Sequence, residues 1–315
     1  MDFVDLFAGI GGIRLGFENI GWNCVFTSEW DKFAQQTYKA NFPDSNIEGD
    51  IALVDIAFIP PFDVLLAGFP CQSFSISGLK KGFDDTRGTL FFNIVKIIDY
   101  HKPSAIFLEN VPNLLLHDKG NTFRIIYRTL NDLGYKVFYK ILNAKDFGLP
   151  QTRARIFLVC FKSDDVNTID FINDFRFPSG TKTPTKISNI LEPDTDPKYT
   201  LSDKMWNYLQ ERKLNNIAKG KGFGYILRDI DYAYTRAISA RYYKDGSEIL
   251  LKQDNKNPRM LTPREAARIQ GFPESFKIVV SDVQAYKQFG NSVAVPVIKS
   301  IAENIQNYLR MVKNV

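Results

Sequence analysis

Histidine is nearly absent from this chain. Only His101 and His117 occur in 315 residues, and neither has a metal-like partner at ligand spacing. That scarcity argues against Ser-His-Asp, Cys-His and zinc-hydrolase chemistry, and no metal site is expected. Cysteine is almost as scarce, and the three present, Cys24, Cys71 and Cys160, cannot make a disulfide framework in a chain this long. Long uncharged apolar runs and a signal-peptide pattern are also missing, so neither membrane association nor export is expected, and the expected location is the cytoplasm. No internal repeat or low-complexity segment is present.

What is there is an ordinary globular composition, 44% hydrophobic and 24% charged, in a length that suits a large domain with a smaller one. Charge is unevenly placed. Between Arg176 and Gln270, 18 Lys and Arg stand against 11 Asp and Glu, an excess of seven, so a net charge of +5 leaves the remainder two negative. A segregated basic region is the footprint of a polyanion-binding face, with an ordinary solvated surface as the alternative.

Phe3 to Phe7 reads as a short buried strand, Ala8 to Gly12 as a glycine turn and Ile13 to Ile20 as a helix. Gly9, Gly11 and Gly12 let the backbone approach a ligand, with amides available at the helix start. The next strand, Cys24 to Ser28, ends at Glu29-Trp30, where a carboxylate suits ribose hydroxyls and an indole suits an adenine ring. Asp50-Ile51 offers a second contact to an adenosine. The strict G-x-G-x-x-G pattern fails because Arg14 stands at the third glycine position, which makes a nicotinamide enzyme the runner-up.

Val64 to Ala67 is a further strand that leads into Gly68-Phe69-Pro70-Cys71-Gln72-Ser73. A thiol on a polar loop after a strand suits a nucleophile, and the alternative is a chance loop cysteine; Cys24 and Cys160 sit in strand-like runs and read as core. The loop continues through Ser77 and from Gly78 to Gly88, rich in glycine, serine and charge, as a lid that closes over substrate with Arg87 available to phosphates. Leu90 to Tyr100 is a helix, and the strand Ala105 to Leu108 ends in Glu109-Asn110-Val111, the same kind of strand end as Cys71. Gln151-Thr152-Arg153-Ala154-Arg155 leads into the strand Ile156 to Phe161, and alternation puts Arg153 and Arg155 on one face.

Beyond Phe161 the strand and helix alternation fades and prolines accumulate, which sets a boundary near residue 180. The second region carries Lys219-Gly220-Lys221-Gly222-Phe223-Gly224-Tyr225 and Arg241-Tyr242-Tyr243-Lys244, residue types that serve phosphate and guanine contacts. Thr262-Pro263-Arg264-Glu265 is a capping box, and Gly271 stops its helix. Gln288 to Val293 reads as a turn before a C-terminal helix whose apolar Val297, Ile298, Ile301, Ile305 and Leu309 need a core, most economically that of the first domain.

Taken in order, five motifs make the chain resemble the bacterial DNA (cytosine-5)-methyltransferases along almost its whole length. They are Asp5-Leu6-Phe7-Ala8-Gly9-Ile10-Gly11-Gly12, Gly68 to Ser73, Glu109-Asn110-Val111, Gln151 to Arg155, and Gln288-Phe289-Gly290-Asn291-Ser292-Val293. The resemblance implies an α/β fold: a Rossmann-like S-adenosylmethionine-dependent methyltransferase sheet with helices on both faces, plus a smaller β-rich target recognition domain. It also implies a catalytic domain of residues 1–180 completed by 289–315, with recognition and hinge at 181–288. The expected chemistry has Cys71 attacking carbon 6 of a cytosine, Glu109 acting at ring nitrogen 3, and Arg153, with Arg155 as a second candidate, holding the cytosine carbonyl and sugar-phosphate. The base must be flipped out of the duplex first.

For S-adenosylmethionine and its product S-adenosylhomocysteine, the family positions carried over are Phe7, Gly9, Gly11, Glu29, Trp30, Asp50, Ile51, Pro70, Leu90, Phe272, Asn291 and Val293. Candidates for double-stranded DNA contact are Ser77, Arg87, Arg241, Tyr242 and Lys244. Ser239 to Leu250 is similar to the recognition segment of Dcm-type methylases, which implies a palindrome of CC…GG type with Arg241 reading guanine. The expected enzyme is a stand-alone monomer with no long N-terminal extension, paired functionally with a restriction endonuclease. A tRNA methylase of the same fold and a catalytically silent DNA-binding homologue are the other readings, and the basic region and the intact Cys71 and Glu109 weigh against them.

Overall fold

Apolar runs without alternation become strands buried on both faces. β1 (Asp2–Leu6), β2 (Asn23–Ser28), β3 (Ile47–Glu48), β4 (Val64–Gly68), β5 (Ala105–Asn110), β6 (Tyr135–Asn143) and β8 (Ala154–Lys162) form a seven-stranded sheet in the order β3-β2-β1-β4-β5-β8-β6, while β7 (Gln151–Thr152) pairs elsewhere. β3, β2, β1, β4 and β5 pair in parallel, and β8 runs antiparallel to β5. The computed structural model describes all residues except 70–89, 164–174, 182, 184, 223 and 314–315. Pro70, Cys71, Ser77, Arg87 and the lid expected over Gly78 to Gly88 therefore lie outside the described residues.

Around this sheet lie α1 (Gly12–Glu18), α2 (Lys32–Asn41), α3 (Leu90–His101), α4 (Asn121–Asp132) and α8 (Val295–Lys313). Strand alternation divides the core between two faces. Leu6, Leu65, Ile106, Leu108 and Leu158 belong to one cluster with Ile94 and Ile98 of α3 and Ile126 of α4. On the other face Phe3 and Phe107 meet Phe17 of α1 at ring separations of 5.9 and 5.4 Å, and Phe161 meets Tyr308 of α8 at 4.3 Å. α8 buries Ile298, Ile301 and Ile305, as its spacing predicts. A Cβ on Gly16 of α1 would lie 2.4 Å from an Ile298 side-chain carbon, so glycine lets these two helices touch.

The chain divides into two compact units, Met1–Leu142 with Ala154–Ser179 and Val297–Val315, and Asn143–Arg153 with Gly180–Pro296. The second holds a three-stranded sheet, β12 (Lys256–Arg259) to β11 (Leu250–Gln253) to β9 (Leu227–Arg228), and a parallel pair of β7 with β10 (Thr235–Arg236). It also holds α5 (Asp203–Ala218), α6 (Pro263–Ile269) and α7 (Asp282–Asn291), so helix outweighs strand there. The segment expected as a turn from Gln288 is helical through Asn291, because Ala285, Tyr286 and Phe289 bury an apolar face at helical spacing; the turn begins at Ser292. Among the described residues no helix is long and apolar enough to cross a membrane.

α6 begins with the predicted capping box between Thr262 and Glu265. The fully buried Glu265 carboxylate does more, since it accepts two parallel bonds from Arg259 at 2.7 and 2.8 Å and one from the Glu192 backbone N–H at 3.0 Å. Removing one member of such a pair strands a buried charge. Glu265→Ala is expected to lower unfolding stability by about 3–5 kcal/mol, read from urea transitions; a loss under about 1 kcal/mol would mean the pair carries no weight in this unit.

Candidate active site

At the end of β1 the backbone turns sharply: Phe7 has φ 55°, Gly9 57° and Gly11 84°. These left-handed positions are why the turn needs glycine. Among the described residues a Cβ on Gly9 would meet no atom within 4 Å, which leaves that side of the turn open to a ligand among them, whereas one on Gly11 would run into Phe42 at 2.3 Å. Glu29, directly after β2, is oriented by the backbone: its two carboxylate oxygens accept N–H bonds from Gly9 at 2.7 Å and Asp31 at 2.8 Å. Burial raises its pKa, and those N–H groups oppose the rise. Each oxygen keeps acceptor capacity for a diol.

Trp30 beside it is 77% exposed, Asp50 accepts the Ala52 N–H at 3.0 Å, Ile51 is buried, and Leu90 is half-buried at the start of α3. The turn and Glu29 lie at the carboxyl ends of β1 and β2, beside the β1/β4 neighbours where the strand order reverses, the usual ligand edge of such sheets. An open glycine turn, an oriented acid and an exposed indole fit S-adenosylmethionine. In the second unit Asn291 is exposed and Val293 buried. Phe272 is buried, its ring against Phe276 and Phe289 at 4.6 and 5.3 Å.

The second half of the edge is built by β4, β5 and β8. Gly68, three residues before Cys71 in sequence, is the register partner of Glu109. A Cβ built at Gly68 would stand 3.3 Å from Ile13 Cδ1 and 3.5 Å from Glu109 Oε2, so the Glu109 carboxyl lies directly beside the end of β4. The antiparallel β8 brings Arg155 back to the same edge, where its Nε lies 3.0 Å from Glu109 Oε1. Asn110, to which sequence reasoning gave no role, donates from Nδ2 to the Phe69 carbonyl at 2.7 Å and accepts the Val111 N–H at 2.8 Å. It thus fixes the last described residue before the Cys71 loop.

The two arginines of the fourth motif do not share a face. Arg153 lies between β7 and β8, 2% exposed, and its guanidinium donates to the carbonyls of Ile238, Gly290 and Ser292. Those three bonds tie Nη1 and Nη2 to the backbone of the second unit. The break between strands resets the alternation on which the shared face was argued. Tyr242 is likewise removed from the DNA contacts: it is fully buried, its hydroxyl donates to Ile249 O at 2.7 Å and accepts from Leu261 N–H at 2.7 Å. Arg241 and Lys244 are exposed.

Beneath the glycine turn lies a polar cluster that sequence reasoning missed. Asp5 is fully buried on β1, with Tyr38 OH 3.4 Å from its Oδ2 and Thr27 Oγ1 2.9 Å from the same hydroxyl. Arg14 lies 4.1 Å over the Phe42 ring and donates to Glu18 at 2.6 Å, to Tyr38 OH at 3.2 Å and to Ser45 Oγ. The visible signal was an aspartate inside an apolar run and an arginine where dinucleotide folds keep glycine.

Comparison with known proteins bears on the whole chain. The profile of the family described as "C-5 cytosine-specific DNA methylase" matches residues 1–307. Type II methyltransferase M.SsoII of Shigella sonnei is 59% identical over 303 residues, covering 96% of this chain and 79% of that protein. Type II methyltransferase M.NlaX of Neisseria lactamica is 57% identical over 313 residues, covering 99% and 98%. Among solved structures, Entamoeba histolytica methyltransferase EhMeth superposes with a TM-score of 0.77 at 22% identity, covering 98% of each chain, which speaks to the fold alone.

The Asp5 carboxyl is pushed from an ordinary 3.8 to about 7, mainly by burial, with Arg14 and the Tyr38 hydroxyl opposing. The folded chain therefore holds that proton more tightly than the unfolded one, so this group's contribution to stability is full below about pH 4 and is lost as pH rises to about 7. Asp5→Asn keeps a neutral side chain throughout. The melting temperature of Asp5→Asn minus that of wild type is expected to rise between about pH 5 and 8. A difference that stays constant over that range would contradict the burial of a titrating carboxyl.

Proposed function

Because the chain belongs to the C-5 cytosine-specific DNA methylase family and is a DNA cytosine methyltransferase of the type II kind, we propose that it methylates carbon 5 of a flipped cytosine through a covalent Cys71 adduct. The observation that carries this reading is the Glu109 to Arg155 ion pair at the strand end whose register partner, Gly68, leads to Cys71. S-adenosylmethionine, when bound, supplies an electrophilic methyl group. The glycine turn and Glu29 bind its adenosine end, with Trp30, Asp50 and Ile51 beside them, and Asn291 and Val293 belong to the same set.

The cytosine ring is a poor nucleophile, and the residues make it a better one. The Cys71 thiolate adds to carbon 6 while Glu109 holds a proton at ring nitrogen 3, so electron density moves to carbon 5. Arg155 fixes the Glu109 carboxyl and presents a donor toward the ring carbonyl, the part first assigned to Arg153. Carbon 5 takes the methyl group and then loses its proton to a base, which expels Cys71 and restores aromaticity. Taking the ring out of the duplex costs a few kcal/mol of unstacking, offset by the phosphate contacts of the basic second region.

The substrate is double-stranded DNA and the enzyme acts as a cytoplasmic monomer. Arg241 reads guanine within a CC…GG palindrome, Lys244 binds phosphate, and the modification protects DNA from a restriction endonuclease. An RNA substrate is less supported, because identity is high to type II DNA enzymes and the large basic region suits a duplex groove.

Glu109→Gln is expected to lower kcat by about 100- to 10,000-fold in tritiated methyl transfer, with S-adenosylhomocysteine affinity unchanged; a loss below about threefold would remove Glu109 from the chemistry. Bisulfite sequencing of plasmid from expressing cells is expected to show methylation confined to CC…GG sites. Methylation centred on GCGC instead would reject the proposed target.

A further inference from the structure

Arg153 is buried, and its guanidinium is bonded to backbone carbonyls of the second unit. Its planar fork sets several donors in fixed directions, which suits the gathering of backbone carbonyls. Nη1 donates to Ile238 O at 3.0 Å, and Nη2 to Gly290 O at 3.0 Å and to Ser292 O. These carbonyls come from two separate segments of the second unit. Ile238 precedes Ser239, whose hydroxyl accepts the Arg241 N–H at 3.1 Å and bonds Glu248 at 2.6 Å, so the placement of Arg241 follows that of Ile238 and Ser239. Gly290 and Ser292 bracket Asn291 and precede Val293.

The two segments also touch directly. A Cβ on Gly290 would lie 2.2 Å from the Ser239 carbonyl carbon and 2.3 Å from the Ala240 nitrogen, so the backbones abut with no room for a side chain. A buried amide relay backs the contact from the same side of the sequence. Gln151 Nε2 donates to Gln270 Oε1 at 2.7 Å, and Gln270 Nε2 donates to Phe289 O at 2.6 Å. Both glutamines are fully buried. A buried guanidinium held by three carbonyls is costly to move, so the two segments move together.

We infer that Arg153 is a positioning residue that couples the segment carrying the guanine reader Arg241 to the end of α7 and the turn after it, which carry the proposed cofactor contacts Asn291 and Val293. The inference rests on the cofactor role proposed for that turn. Binding of cofactor at the turn orders the recognition segment, and the enzyme is set to read DNA when it holds cofactor.

Hydrogen exchange of the full chain, with and without saturating S-adenosylhomocysteine, tests this. In wild type the ligand is expected to slow amide exchange both at Asn291 to Val293 and at Ser239 to Arg241, the latter by about fivefold or more, the lower bound of typical coupling. In Arg153→Lys, which keeps the charge and loses the fork, slowing is expected to persist at Asn291 to Val293 and to vanish at Ser239 to Arg241. Wild-type slowing at the turn but not at Ser239 to Arg241 overturns the coupling and needs no variant. Equal slowing of both segments in Arg153→Lys, or in Arg153→Gln should the lysine variant misfold, overturns the assignment to Arg153. Absence of slowing anywhere in wild type defeats the cofactor reading itself, and the inference with it.

Discussion

β5 is buried at all six of its positions, so a polar group on that strand can serve chemistry only where the strand leaves the core. The same constraint acts on β1 and β4, whose apolar side chains fill both faces of the sheet. Parallel pairing then lines up the carboxyl ends of these strands, and the reversal of strand order between β1 and β4 opens the edge there. Glu29, the glycine turn, Gly68 and Glu109 occupy one edge because the core leaves them nowhere else. Arg155 arrives by a different route: it needs the antiparallel return of β8, which places the start of that strand against the end of β5.

Charges and amides inside the protein are held by several partners each, as burial requires. Glu265 is shared by Arg259, a helix cap and a backbone N–H, and Arg153 is shared by three carbonyls. At Asp5 burial outweighs what Arg14 and Tyr38 return, and its carboxyl stays protonated toward neutral pH. It lies on β1 just ahead of the turn where the backbone takes left-handed angles. The cluster of Asp5, Tyr38, Thr27 and Arg14 thus underlies the proposed cofactor turn.

Much of this was legible in the sequence, for stated reasons. Continuous apolar runs marked β1, β4 and β5, the helical spacing of Ile298, Ile301 and Ile305 marked α8, and Thr262 with Glu265 marked the start of α6. What failed depended on partners distant in sequence. Alternation assigned Arg153 and Arg155 to one face, but a strand break intervenes, and only tertiary structure gives Arg155 to Glu109 and Arg153 to Ile238, Gly290 and Ser292. Tyr242 stands in a basic, aromatic stretch of the kind that binds nucleic acid, yet its hydroxyl serves Ile249 and Leu261 inside the unit. Composition describes a segment, and neither case could be decided without knowing which residue of it turns inward.

The central claim is that Cys71 forms a covalent bond to the target base while Glu109 and Arg155 hold the ring, and one trapping measurement reaches it directly. A DNA fragment synthesised with 5-fluorocytosine in place of every cytosine offers any target sequence and cannot lose a proton from carbon 5, so elimination of the thiol stalls. With S-adenosylmethionine present, a complex that survives denaturation is expected, with the modified peptide mapping to Cys71. An enzyme that methylates ordinary DNA yet leaves no such complex, or one trapped through another residue, would contradict the account.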